Sequence, residues 1–315
     1  MKRISLFFIF LFFLFFVFFI YKQIYFPKDP NNKEEVIFQI KKGEGVRDIA
    51  FNLEKEGLIR SRLIFQLYVG LQRKMSLQAG FYQLSPSLNI PQIVSKFSKG
   101  DVFKKRITIL EGWTIKDIAE CLDKEGIVNA NSFINYAQSH QLEGYLFPDT
   151  YEFNYGENVE KITKRMEDNF NKKLTDELRR EIRSQGRTIS EIVIMASLIE
   201  KEAQTLEDKK IVSGILWKRL EHNMPLQVDA TINYIIGENK LKISAEETKI
   251  DSPYNTYKYK GLPPTPICNP GMESIEAAIK PKKTPYWYYL SDKNSLLHFS
   301  KTLQEHNIAK AKYLR

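Results

Sequence analysis

The segment from Ile40 to Ile59 recurs 69 residues later, from Ile109 to Val128. Each copy has a glycine in a turn, apolar residues at helical spacing and a Lys-Glu-Gly ending. Before the first copy, the β-branched and aromatic run Val36–Ile40 predicts a strand. The repeat therefore predicts a strand, turn and helix used twice in an α+β fold. Either a duplicated packing unit or a ligand-binding role explains the repeat equally well.

Length, cysteine content and charge limit the classes of protein that remain. A chain of 315 residues is long enough for about two domains. Two cysteines, Cys121 and Cys268, exclude a disulfide framework and a four-cysteine zinc site. The formal net charge of +9 suits nucleic acid, anionic lipid or an anionic polymer. Cellular location decides among these partners.

An apolar run near the N-terminus bears on that location. Residues 4–20 contain nine phenylalanines, and Ser5 is the only polar residue among them. As a helix, 17 residues span about 25 Å, near the lower limit for crossing a bilayer. Lys2 and Arg3 precede the run, and no small-residue cleavage site follows it, which favours an uncleaved anchor with its N-terminus in the cytoplasm.

We therefore predict a cytoplasmic N-terminus at residues 1–3, a single transmembrane anchor at 4–20 and a polar, proline-containing tether at 27–35. The rest of the chain would lie outside the cytoplasm, attached to the membrane. Nucleic acid is then excluded as a partner, and the basic surplus points to an anionic wall polymer or to lipid headgroups.

A nearly apolar helix that ends in two glutamates is the strongest chemical signal. Thr188 and Glu191 form a capping-box pattern, and the helix that they begin continues through apolar residues to Glu200 and Glu202. Negative charge is disfavoured at a helix C-terminus, so these glutamates are either solvent-exposed or an acid with a raised pKa. Residues two apart on a helix point about 200° apart, so only one of them can be the acid.

Loops downstream of this helix combine aromatic rings with amide and carboxylate groups, a surface that suits sugars. They include Leu226–Thr231, Ser252–Tyr257 and Gly261–Gly271. Proline-rich loops of this kind also serve as scaffold. The four histidines lack metal-ligand spacing, so we predict no metal site.

Several of these segments together resemble one family, the YceG-like (MltG) endolytic murein transglycosylases. The resemblance rests on the following segments, in order: Met195–Glu202, Leu226–Asp229, Pro253–Tyr257, Gly261–Pro264, Asn269–Gly271, His298–Phe299 and Glu305–Asn307. Ala230 and Thr265 depart from the residues usual in that family. The N-terminal region resembles the LysM-like subdomain of its members. The resemblance implies a LysM-like α+β subdomain at 36–104 and a mixed α+β YceG-type catalytic domain at 105–315, which begins with the second repeat copy at 109–128.

The family resemblance also implies an activity and its residues. The expected reaction is cleavage of the β-1,4 bond from N-acetylmuramic acid to N-acetylglucosamine in nascent peptidoglycan strands, leaving 1,6-anhydromuramyl ends and terminating glycan elongation beside wall synthases. Glu202 is the expected acid, and Glu200 is the alternative. No cofactor is expected. The predicted glycan-binding residues are Glu200, Gln227, Asp229, Tyr254, Asn255 and Tyr257.

Two other functions remain compatible with the same residues. A hydrolytic muramidase needs a second carboxylate, and Asp229 is available for that role. A noncatalytic peptidoglycan-binding or scaffold protein would use the LysM-like part and keep the second domain as an interaction surface. The products formed from peptidoglycan distinguish these functions.

Overall fold

The computed structural model describes residues 2–72, 76–238, 240 and 243–314, apart from the side chains of residues 2–6, 8 and 9. Within these residues, no helix combines the length and the apolar character that crossing a bilayer requires. The predicted anchor at 4–20 and the predicted N-terminus at 1–3 fall partly on side chains outside this description. Both stay predictions.

The chain divides into two compact units, one of residues 1–105 and 152–155, the other of residues 106–151 and 156–315. The elements before residue 100 are α1 (Lys2–Tyr25), β1 (Val36–Ile40), α2 (Val46–Lys55), α3 (Arg62–Leu71), β2 (Gly80–Leu84) and α4 (Ile90–Lys99). The strands β1 and β2 pair antiparallel, with Phe38 opposite Tyr82. Their inward side chains and those of α2 to α4 form the core of the first unit.

The repeat is longer in the structure than in the sequence. The second copy consists of β3 (Lys104–Thr108), α5 (Ile115–Lys124), α6 (Ala130–Ser139) and β4 (Thr150–Asn154). It reproduces the order strand, helix, helix, strand of β1, α2, α3 and β2, and β3 pairs with β4. Gly43 and Gly112 occupy equivalent turns in the two copies, with φ of 83° and 78°. Glycine adopts this left-handed conformation without strain. The mixed α+β class is therefore confirmed.

The second unit continues mainly with helices. These elements are α7 (Val159–Lys173), α8 (Asp176–Ser184), α9 (Ile189–Glu202), α10 (Leu206–Glu221), α11 (Asp229–Ile236), α12 (Met272–Ile279), β5 (Tyr288–Ser291), β6 (Leu297–Ser300) and α13 (Leu303–Tyr313). The helix α9 is central to the core, because residues 192–199 are all buried. The aromatic side chains of Phe147 and Tyr151 are also buried.

Candidate active site

The helix α9 forms as its sequence predicts and ends abruptly at Glu202. The Thr188 hydroxyl accepts from the Glu191 amide at 3.1 Å, and the Glu191 carboxylate accepts from the Thr188 amide at 2.7 Å, which confirms the capping box. Ala203 is already extended, with φ of −139° and ψ of 144°. Glu202 is thus the last helical residue. It is partly exposed, although the helix before it is buried.

The surroundings of Glu202 favour a neutral carboxylic acid. Burial, and next the negative charge of Asp229, raise its pKa to about 7. The Tyr289 hydroxyl and the backbone amide of Ala230 lower the pKa, but their effect is smaller. A group that is half protonated near neutral pH can both donate and accept a proton, as a general acid and base must.

Asp229 lies at the first position of α11, where the helix dipole favours its charge. The residue is exposed, and its carboxylate accepts a hydrogen bond from the Tyr257 hydroxyl. Burial, and next the charge of Asp229, raise the pKa of Tyr257, so this phenol remains a donor. Two predicted residues are therefore in direct contact, and the charge of Asp229 acts on Glu202.

Gln227 is exposed next to Asp229 and has an unusual backbone conformation. Its φ is 55°, which costs a non-glycine residue roughly 1–2 kcal/mol. The backbone amide donates to the Thr256 carbonyl at 3.0 Å, which fixes this conformation. Strained residues of this kind occur often at functional sites. The Gln227 side chain is exposed, and its Oε1 accepts a hydrogen bond from the Arg219 guanidinium at 3.5 Å.

Tyr254 and Asn255 are more buried than Gln227, and the protein engages their polar groups. The Tyr254 hydroxyl shares a hydrogen bond with Thr265 at 2.7 Å, and Tyr254 is partly buried. Asn255 is 0% exposed. Its amide nitrogen donates to the carbonyls of Thr248 and Ile250, and its oxygen accepts from the Tyr257 amide. Asn255 therefore shapes the loop that carries Tyr257, and its burial disagrees with the predicted contact to glycan.

Glu200 also differs from the predicted glycan-binding role. One carboxylate oxygen lies 3.1 Å from Nζ of Lys209, and the other accepts from the Gly271 amide at 2.8 Å. The two side chains are only 9% and 3% exposed. Both carboxylate oxygens of Glu200 are therefore engaged within the protein.

Two residues near Glu202 were absent from the sequence-based prediction. Tyr289, on β5, has a buried hydroxyl that makes no hydrogen bond of ordinary geometry within the described part of the chain. Burial and the charge of Glu202 keep the pKa of this phenol well above its usual value. Arg219, on α10, is 5% exposed, and its guanidinium donates to the carbonyls of Trp287 and Leu226 at 2.9 and 2.7 Å.

The aromatic run Tyr286–Tyr289 was the available signal for Tyr289, since such a run before a hairpin can place one ring at a site. For Arg219 the sequence offers no comparable signal, because it lies on an ordinary helical stretch. Among the described residues, no group of three or more histidine, cysteine, aspartate or glutamate side chains is arranged to bind a metal ion.

Comparisons with known proteins place this site in a family. Residues 38–312 match the model of the YceG-like family. A Bacillus subtilis (strain 168) protein named endolytic murein transglycosylase is 36% identical over 320 residues, which cover 93% of this chain and 89% of that protein. A Streptococcus pneumoniae serotype 2 (strain D39) protein of the same name is 32% identical over 84% of this chain, which spans 56% of that longer protein.

A solved structure agrees with these sequence matches. The crystal structure of a YceG-like protein from Listeria monocytogenes has a TM-score of 0.60 to this chain and 34% sequence identity. The match covers 88% of this chain and 100% of the Listeria chain. Because the family match extends over most of the sequence and includes every residue of the site described above, the chain belongs to the YceG-like family.

Proposed function

We propose that the protein is an endolytic murein transglycosylase, a lyase that cuts peptidoglycan glycan strands. The single observation that carries the proposal is the position of Glu202 at the end of a buried helix, with a pKa raised to about 7. Its relatives named endolytic murein transglycosylase match it over 84–93% of its length. Specific cleavage between N-acetylmuramic acid and N-acetylglucosamine is part of the proposal.

In the proposed reaction, protonated Glu202 donates its proton to the oxygen of the glycosidic bond, and that bond breaks. An oxocarbenium-like centre then develops at C1 of the muramyl residue. The C6 hydroxyl of the same sugar attacks C1, and the Glu202 carboxylate takes up the hydroxyl proton. The products are a free N-acetylglucosamine end and a 1,6-anhydromuramyl end, and no water is consumed.

Each neighbour of Glu202 has a role in this sequence. Burial, and next the charge of Asp229, raise the pKa of Glu202 and so favour its protonated form before the reaction, and Tyr257 orients Asp229 through its hydroxyl. The Ala230 amide and the Tyr289 hydroxyl favour the carboxylate that forms after proton transfer. The proposed glycan contacts are Gln227 and the exposed face of Asp229, with Tyr254 and Tyr257 as aromatic surface.

The decisive experiment is mass spectrometry of the muropeptides released from uncrosslinked peptidoglycan. Wild type should release 1,6-anhydro ends, which are lighter by one water and resist borohydride reduction, and Glu202→Gln should release none. Glu221→Gln is the matched control, because Glu221 is also the last residue of its helix but is exposed. Reducible ends would instead indicate a hydrolase, and binding without products would indicate a wall-binding protein.

We also propose that residues 4–20 anchor the protein in the bacterial cytoplasmic membrane, with residues 1–3 inside the cell. The support is the sequence: 17 residues with Ser5 as the only polar side chain, preceded by Lys2 and Arg3. Residues 27–35 would then act as the tether, the LysM-like subdomain at 36–104 would face the wall, and the catalytic domain at 105–315 would act on strands as wall synthases release them. A reporter fused after Arg315 should be active only outside the cytoplasm. Activity inside the cell would refute this topology.

A further inference from the structure

A buried ion pair joins the ends of three helices on the side of α9 opposite Glu202. Lys209 belongs to the first turns of α10, and its Nζ lies 3.1 Å from Glu200 near the end of α9. The same Nζ is 3.9 Å from Glu273, in the first turn of α12. Lys209 is only 3% exposed and lies between these two carboxylates.

The second oxygen of Glu200 connects α9 to the Asn269–Gly271 loop. The Gly271 amide donates to this oxygen at 2.8 Å. A Cβ at position 271 would overlap the Glu111 carboxylate, so the flexible Glu111 side chain would have to move aside. A Cβ at Gly112 would lie 3.6 Å from Cγ of Glu200, an ordinary contact. Gly271 and Gly112 are therefore both neighbours of Glu200.

The loop that contacts Glu200 is itself bonded to the turn of the second repeat copy. The Gly112 amide donates to the Asn269 carbonyl at 2.9 Å, and the Asn269 amide donates to the Trp113 carbonyl at 2.8 Å. In the first copy, by contrast, no described atom lies within 4 Å of a Cβ placed at Gly43. The two copies thus differ at this turn, and the second one supports α9.

The end of α9 needs such support because Glu202 has no helical residue after it. The carbonyls of a last turn lack helical partners, and helix ends fray. Side chains two positions apart point about 200° away from each other, so the direction of Glu200 determines that of Glu202. When Lys209 and Gly271 fix Glu200 on one side, Glu202 must face Asp229 and Tyr289 on the other.

We infer that Lys209 is a positioning residue of the transglycosylase: through its ion pair with Glu200 it fixes the last turn of α9 and orients the acid Glu202. This inference rests on the proposed function. Lys209 lies on the side of α9 away from Glu202, so its effect passes through the helix turn. A displacement of a catalytic group by about 1 Å can reduce a rate by up to about a hundredfold.

The test compares Lys209→Met with the double variant Glu200→Gln/Lys209→Met in the full chain. Release of anhydromuropeptides is measured over a range of substrate concentrations, and folding is checked by circular dichroism. Lys209→Met should lower kcat by about tenfold or more with KM changed less than about threefold, because the acid is misplaced while the glycan surface stays intact. Lys210→Met is the matched control, one residue along the same helix, and should match wild type.

The double variant keeps the inference falsifiable even where Lys209→Met fails to fold. It removes the ion pair without leaving an unpaired buried charge, so it should fold, and it should still lower kcat by about tenfold or more. A folded variant of either kind, single or double, with more than half the wild-type kcat would overturn the inference. Loss of products from wild type itself would refute the proposed function instead.

Discussion

Glu200 and Glu202 stand two residues apart at the end of one helix and have opposite environments. Glu200 is paired with buried Lys209 and with the Gly271 amide. Burial, and next the charge of nearby Asp229, raise the pKa of Glu202 to about 7. The helix end thus carries one carboxylate in an ion pair and another whose pKa is raised. The end of one helix therefore supplies both a structural group, Glu200, and a chemical group, Glu202.

The first prediction concerns the pH dependence of the reaction. Because Glu202 must be protonated to donate, kcat/KM should decrease as the pH rises through about 7, by about tenfold per unit at higher pH. The measurement is the rate of anhydromuropeptide release between pH 5 and 9 at constant ionic strength. A constant rate up to pH 9 would show that Glu202 is not the acid.

The second prediction is that Asp229→Asn changes the pH at which activity is lost. The negative charge of Asp229 raises the pKa of Glu202, so its removal should lower this pKa and move the loss of activity to lower pH. The control is Asp176→Asn, since Asp176 is likewise the first residue of a helix and is exposed. Products should retain anhydro ends in both variants. An unchanged pH profile for Asp229→Asn would contradict the coupling of these carboxyls.

The third prediction is that Glu202→Gln and Glu200→Gln change the free energy of unfolding in opposite directions at pH 8. The pKa of Glu202 in the folded state lies above its usual value, so the folded state loses stability as the pH rises from about 4.5 to about 7. Glutamine removes this penalty, and Glu202→Gln should gain about 1–2 kcal/mol after allowance for partial exposure. Glu200→Gln leaves the buried Lys209 with only the longer, 3.9 Å contact to the exposed Glu273 and should lose about 3 kcal/mol.

Denaturant unfolding of the two variants and wild type checks this prediction. The gain of Glu202→Gln should be smaller at pH 5, where the wild-type carboxyl is protonated in the folded state. A loss of stability in Glu202→Gln at pH 8 would mean that the carboxylate is a favourable part of the fold. Equal losses in both variants would contradict the different roles of the two glutamates.

Much of the fold was predictable because local patterns determine it. The capping box at Thr188 and Glu191, the glycine turns at Gly43 and Gly112 and the strand at Val36–Ile40 all follow from short-range rules, and the structure confirms them. The repeat was visible because both copies keep the same helix face. These features depend on residues within a few positions of each other in the chain.

The contacts of the site were less predictable because they join distant segments. Lys209 and Gly271 meet Glu200 across 9 and 71 residues, and no short pattern indicates such a pair. For Asn255 the sequence pattern predicted a contact that the burial of this side chain disfavours, since an amide in an aromatic loop suggests sugar binding. Its four hydrogen-bonding contacts instead lie within residues 248–258, where the loop backbone needs them.

The fourth prediction follows from the burial of Asn255. Asn255→Ala removes both donors and the acceptor of a fully buried amide and leaves their backbone partners unsatisfied. The free energy of unfolding should fall by about 2–4 kcal/mol. Asn294→Ala, at an exposed position in the β5–β6 turn, should change it by less than about 0.5 kcal/mol. A stable Asn255→Ala variant with weakened glycan binding would restore Asn255 as a ligand contact.

The last prediction separates strain from binding at Gln227. Its φ of 55° is unfavourable for glutamine but free of strain for glycine, so Gln227→Gly should raise the free energy of unfolding by up to about 1 kcal/mol. The same change removes an exposed side chain beside Asp229 and should increase KM for glycan strands. Asn223→Gly is the matched control, because Asn223 has a φ of 53° at an exposed helix end and asparagine tolerates this conformation. Asn223→Gly should change neither the free energy of unfolding nor KM appreciably. Calorimetry gives the stability, and steady-state kinetics give KM. A more stable Gln227→Gly enzyme with unchanged KM would mean that the Gln227 side chain does not bind the glycan. The strained backbone would then serve only the conformation of the loop.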